Sequence, residues 1–138
     1  MSDLNVAVLS SSGHFVSGDD PTPFGVESMT QQTAVERIDD FLKEAPTLSR
    51  IPTDTPREAY RVRHGGYDIR GASVDHNVAL PIDAARKLVD DGRVGSLHPN
   101  AFSFVGACSQ LRMINDTGPA WADAFTREEI DAVVLVPV

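Results

Sequence analysis

A chain of 138 residues with 41% apolar and 23% charged residues has the size and composition of one globular domain. A formal net charge of −8 argues against a surface that tracks nucleic-acid phosphates, and no apolar run approaches the roughly 20 residues of a membrane span. The single cysteine, Cys108, excludes an internal disulfide framework and fits a reducing cytoplasm; with no basic segment ahead of an apolar one, no signal peptide is expected.

Asn5-Val6-Ala7-Val8-Leu9 is a short apolar run rich in β-branched residues, and Ser10-Ser11-Ser12-Gly13-His14 follows at once. A strand followed by a small polar turn is how an α/β domain opens. The turn is either plain surface or a substrate-facing loop; it is no phosphate loop, since neither GxGxxG nor Gly-Lys-Ser/Thr is present. The stretch from Gly18 to Gly25 is turn-rich and irregular. Thr33 is the predicted cap of a helix over 34–43, with Ala34, Val35, Ile38, Phe41 and Leu42 as one stripe facing a sheet, and Pro46 stopping it. Residues 50–56, with Pro52 and Pro56, read as a loop, and 57–62 as a strand. Asn77-Val78-Ala79-Leu80 reads as a brief strand. Pro81 starts a helix with Ile82, Ala85, Leu88 and Val89 inward and Gly92 as its C-terminal cap. A short strand over 101–105 closes at Gly106, and Pro119 opens a helix through Ala120, Trp121, Ala124 and Phe125. Thr126 with Glu129 suggests a capping box for one more turn. Asp131-Ala132-Val133-Val134-Leu135-Val136-Pro137-Val138 reads as a strand covered on both faces. The alternation predicts an α/β three-layer sandwich with a mainly parallel sheet, in a single domain over 1–138.

The four histidines show no HExxH or paired-ligand spacing, so no metal site is expected. Ser10, Ser11 and Ser12 lack the nucleophile elbow, and Cys108, beside Gly106 and Ala107, reads as a buried structural thiol. His64-Gly65-Gly66-Tyr67-Asp68-Ile69-Arg70 is the densest chemistry. It gathers a base, a phenol, a carboxylate and a guanidinium, with glycines permitting close backbone approach. The plainer reading is a surface Asp68–Arg70 pair worth a few tenths of a kcal/mol. Asp75-His76-Asn77 adds a second polar cluster.

From Tyr67 onward the order of these residues resembles the selenoprotein B family of glycine, sarcosine, betaine and D-proline reductases. The resemblance runs through Tyr67-Asp68-Ile69-Arg70 and Asp75-His76-Asn77-Val78-Ala79-Leu80-Pro81-Ile82-Asp83. It continues with Arg86-Lys87-Leu88-Val89, Gly92-Arg93-Val94-Gly95-Ser96-Leu97-His98-Pro99 and Phe102-Ser103-Phe104-Val105-Gly106. It closes on Ile130 to Val138. Residues 6–24 are more loosely similar to the family's opening strand and loop.

The resemblance implies one subunit of a reductase that cleaves a carbon–nitrogen bond in an amino acid or its N-methyl derivative. A pyruvoyl group on a partner subunit would hold the substrate amine. A selenocysteine or cysteine immediately after Val138 would attack the α-carbon, and thiols would regenerate it. The chain is thus expected to stop short of its redox loop and of the helix covering its last strand. It would bind no cofactor itself and hold no catalytic residue; Cys108 does not occupy the family's redox position. The candidate substrate-binding residues are Ser11, Ser12, Gly13, His64, Tyr67, Asp68, Asn77 and Ser103. In a parallel sheet the turn after Leu9, Ser103, Gly106 and the C-terminus would share one edge, with 64–68 folded over it. Other reductase components are the expected partners, without nucleic acid or membrane, and a homo-oligomer is allowed. A non-catalytic α/β partner or degenerate paralogue stays open as the alternative.

Overall fold

The computed structural model describes residues 3–19, 29–43 and 45–138. In chain order the elements are β1 (Asn5–Ser10), β2 (His14–Val16), α1 (Gln31–Glu36), α2 (Ile38–Lys43), β3 (Ser49–Pro52) and β4 (Tyr60–Val62). There follow α3 (Arg70–Val74), α4 (Ile82–Asp90), β5 (Ser96–Leu97), β6 (Asn100–Ser103), α5 (Gln110–Arg112), α6 (Gly118–Arg127) and β7 (Ala132–Val136). The architecture is α/β with a mainly parallel sheet.

β1 is the centre of that sheet. On one side it pairs in parallel with β5 through its first residues and with β6 through its last; on the other it pairs in parallel with β7, Val6 opposite Ala132 to Ser10 opposite Val136. β3 lies antiparallel to β6 at the far edge. Alternating side chains send the sheet's residues to opposite faces. Val8 and Ala101 pack with Ile51 and with Ile82 of α4, whereas Ala7 and Phe102 pack with Phe125 of α6. Helices therefore cover both faces, as the sequence predicts. A separate antiparallel pair, β2 with β4, stands beside the sheet, and Met29, Ala34, Val62, Ile69, Ala72 and Ala79 form its own core.

Several expectations need correction. Residues 50–52 are not loop but belong to β3; Pro52 is tolerated because it ends an edge strand, where no ladder donor is missed. The helix over 34–43 is two short helices broken at Arg37, capped by Thr30 rather than Thr33. Its stripe does not face inward as a unit: Ala34 is buried, while Val35 and Leu42 are exposed. The Phe41 side chain, and the Gly18–Gly25 stretch from Asp20 on, lie outside the described residues. Asn77 sits in a 3₁₀ turn, not a strand, because Asp75 accepts its amide and turns the chain. Thr126 is inside α6, donating to the Ala122 carbonyl, so no capping box forms there. β7 is an edge strand among the described residues, with Val134 and Leu135 exposed, and is not covered on both faces.

Candidate functional site

The carboxyl ends of β1, β6 and β7 open together. After β1 the chain turns at Ser11, and the Val138 amide donates to the Ser11 hydroxyl at 3.0 Å. Beside this contact is a cleft of about 480 Å³ whose wall includes Ser11, His64, Gly66, Gly106, Cys108 and Val138. The sequence places these residues up to 127 positions apart; the parallel strands bring Ser11, Gly106 and Val138 to one edge, and the loop after β4 of the antiparallel pair adds His64 and Gly66. A second, apolar cleft of about 590 Å³ shares the Ser11, Phe104 and Met113 wall and extends over Leu9, Trp121, Phe125 and Leu135.

Two glycines shape the first cleft. A Cβ on Gly66 would lie 2.8 Å from His64 Cε1, and one on Gly106 would lie 2.8 Å from Ser11 Cβ. Larger residues there would push the His64 ring or the Ser11 side chain aside. Gly66 also donates its amide to His64 Nδ1 at 2.8 Å. Burial lowers the His64 pKa to about 4, so the imidazole is neutral at pH 7. An Nδ1 that accepts from Gly66 is not available as a base.

Beneath the cleft floor is a buried polar layer. Ser12 Oγ lies 2.7 Å from His14 Nδ1 and 3.3 Å from Ser103 Oγ, which accepts the His14 amide at 2.9 Å. Ser10 Oγ donates to the Ala79 carbonyl at 2.6 Å. All four side chains are buried, and burial holds His14 neutral with a pKa of about 4. Gly13 turns the chain at φ +74°, where a Cβ would sit 2.0 Å from the Arg63 carbonyl oxygen. Tyr67 reaches across to donate its hydroxyl to the Ser12 carbonyl at 2.9 Å, and burial raises its phenol pKa.

Over residues 1–138 the chain matches the family described as Glycine/sarcosine/betaine reductase selenoprotein B. It belongs to that family. It is 36% identical over 86 residues to the D-proline reductase subunit gamma of Acetoanaerobium sticklandii, covering 62% of this chain and 36% of that relative. It is also 36% identical over 90 residues to the glycine reductase complex component B subunit gamma of Symbiobacterium thermophilum, covering 59% of this chain and 19% of the relative. A betaine reductase complex component B subunit beta from Peptoclostridium acidaminophilum is 38% identical over 47 residues, 34% of this chain and 11% of the relative. The chain thus spans well under half the length of these relatives. No solved structure matches it.

Within this selenoprotein B family member, the residues singled out from sequence fall into three groups. Ser11 and His64 line the cleft. Ser12, Gly13, Tyr67 and Ser103 are not in its lining; Ser12 bonds to Ser103 and accepts from Tyr67 next to Ser11. Asp68 and Asn77 point elsewhere: Asp68 pairs with Arg70 at the surface, which lowers its pKa to about 2. Asn77 accepts the Asp83 amide and donates to the Asp83 carboxylate, fixing the start of α4.

Sequence reasoning missed Gly66 as a hydrogen-bonding partner, and it missed the cleft wall at Gln110, Met113 and Ile114. The glycine pair was the available signal for the first. For the wall the signal was faint, because Leu111, Met113 and Ile114 are the whole apolar content of residues 110–117. Cys108 is half-buried at the cleft rather than fully buried, and burial still raises its thiol pKa. Among the described residues no group of three or more His, Cys, Asp and Glu could hold a metal, and no helix is long and apolar enough to cross a membrane.

Proposed function

We propose that this chain forms part of the redox-bearing subunit of a reductase that cleaves a carbon–nitrogen bond of glycine, sarcosine, betaine or D-proline, with thiols as electron donors. The family match and the names of its relatives support membership of a multicomponent reductase. The position of Val138 carries the reading further. In the family resemblance a selenocysteine or cysteine follows the strand equivalent to β7. Val138 itself lines the cleft shared by His64, Gly66 and Gly106, its amide donating to the Ser11 hydroxyl, which supports a redox residue next to it in the chain.

A selenolate is ionised at neutral pH and is the stronger nucleophile, for the reason that low-pKa thiols are the reactive ones. Cys108 is a poor substitute, because burial raises its pKa. A pyruvoyl group on a partner subunit supplies a carbonyl that holds the substrate amine. That Gly66 and Gly106 in the cleft wall add no side chain there supports the reading. Ser11 holds the backbone that leads to the nucleophile, and the next turn residues are fixed by the buried Ser12, His14 and Ser103 cluster.

The coding DNA beyond codon 138 tests the reading. An in-frame TGA or a cysteine codon followed by further sense codons is expected. A TAA or TAG, a TGA with no open frame behind it, or a codon for any other residue overturns it.

A further inference from the structure

We propose that Tyr67 is a positioning residue: its hydroxyl, bonded to the Ser12 carbonyl, clamps the 64–68 loop and sets His64 at the cleft wall in one orientation and one tautomer. Its role in turnover rests on the reductase reading above; the clamp itself does not.

The anchor is rigid. Ser12 forms a bridge to Val105, and its side chain is locked against His14 and Ser103, with all three side chains at most 1% exposed. Gln31 holds the far end of the loop, accepting the Ile69 amide at 2.8 Å and donating to the Tyr67 carbonyl at 3.4 Å, and Asp68 is turned out to Arg70; the Tyr67 hydroxyl is the tie from the loop to the turn after β1. Tyr67 spans 55 positions in sequence to reach Ser12 at 2.9 Å. Its ring centroid lies 4.9 Å from that of His64 at 56°, so the phenol that is tethered also supports the imidazole.

The tautomer follows from the other side of the ring. The Gly66 amide donates to Nδ1 at 2.8 Å, so in the neutral ring the proton sits on Nε2. The clamp holds residues 64, 66 and 67 in the geometry that makes this bond. Tyr67 itself is not among the residues lining the cleft, so it acts through His64 and not on a substrate.

The experiment is ¹⁵N NMR of the full-length protein labelled at histidine, joined to kinetics with the amine substrate. Wild type is expected to show an acceptor-type Nδ1 and a protonated Nε2 at His64. Tyr67→Phe removes one oxygen and is expected to give averaged shifts from mixed tautomers, with KM raised about fivefold and kcat little changed. A wild-type His64 protonated on Nδ1, or Tyr67→Phe shifts identical to wild type, overturns the proposal. If Tyr67→Phe does not fold, Tyr67→Met, which also places no oxygen at the Ser12 carbonyl, must show the same loss of a single tautomer; unchanged shifts there overturn it as well. The expected shifts without any reductase turnover once the partner subunits are added support the clamp while removing the reductase reading.

Discussion

The amide of Val138 donates to the Ser11 hydroxyl at 3.0 Å, and the Ser11 amide donates in return to the Val136 carbonyl at 3.1 Å. This reciprocal pair ties the end of β7 to the turn after β1. Ser11→Ala removes only the side-chain half, at a half-exposed position. Stability should fall by no more than about 1 kcal/mol, while the Val138 amide should exchange faster with solvent. Hydrogen exchange followed by NMR checks this; unchanged exchange at Val138 would show that the tether is not made in solution.

Gly13→Ala should be far more costly. The position has φ +74°, and the added Cβ would overlap the Arg63 carbonyl oxygen, a backbone atom that cannot swing away. The loss is expected to reach about 3 kcal/mol or more, because β2 must part from β4 to relieve the clash. Urea denaturation measures it. A loss below about 1 kcal/mol would mean that the turn relaxes freely.

How much of this was legible in the sequence follows from where local and global signals agree. β1, α4 and α6 were readable because an apolar period, Pro119 at a helix start and Gly92 at a helix end all pointed the same way. β3 was not, since Pro52 argues locally for a loop, and only the antiparallel partner β6 makes it a strand. The stripe over 34–42 failed because two helices broken at Arg37 do not share one face. At the site, His64 arrives from the antiparallel β2–β4 pair, whereas the meeting of Ser11 with the β7 end followed from parallel topology. The burial of Ser12 and Ser103 did not, because a serine that lines a cleft and one that bonds beneath it look alike in sequence.

Acidification should destabilise the fold through its buried histidines. His14 and His64 each have a pKa near 4 in the folded chain against about 6.5 unfolded. Between those values the unfolded state binds more protons, so stability is fully present above pH 6.5 and falls as pH drops towards 4. For His14, the more deeply buried, the slope approaches about 1.4 kcal/mol per pH unit. Denaturation midpoints at pH 7, 6 and 5 measure the loss, and histidine ring protons should show neither residue titrating above pH 5. A midpoint that stays flat across that range contradicts the burial argument.

Asp68 contributes in a different window. Its hydrogen bonds from Arg70 hold its pKa at about 2, below the ordinary 3.8. A depressed carboxylate stabilises above its unfolded pKa, and that contribution disappears as pH falls from about 4 to 2. The pair is fully at the surface, so Arg70→Ala should return the Asp68 pKa towards 3.8 with little change in stability at pH 7. Carboxyl ¹³C titration separates the outcomes; a pKa unmoved by Arg70→Ala would show that the pair does not persist in water.

Cys108 tests whether the cleft's own thiol has any share in the chemistry. It lines the cleft beside Val138, which makes it accessible, yet burial raises its pKa and leaves little thiolate at neutral pH. Its alkylation by iodoacetamide at pH 7 should be slower than that of free cysteine and should accelerate on unfolding. Cys108→Ala in the full-length protein should leave thiol-dependent amine reduction unchanged, and the present 138-residue chain should show no such activity with either residue. Turnover by the short chain that vanishes in Cys108→Ala would move the nucleophile into this chain. It would overturn the assignment of the redox role to the residue after Val138.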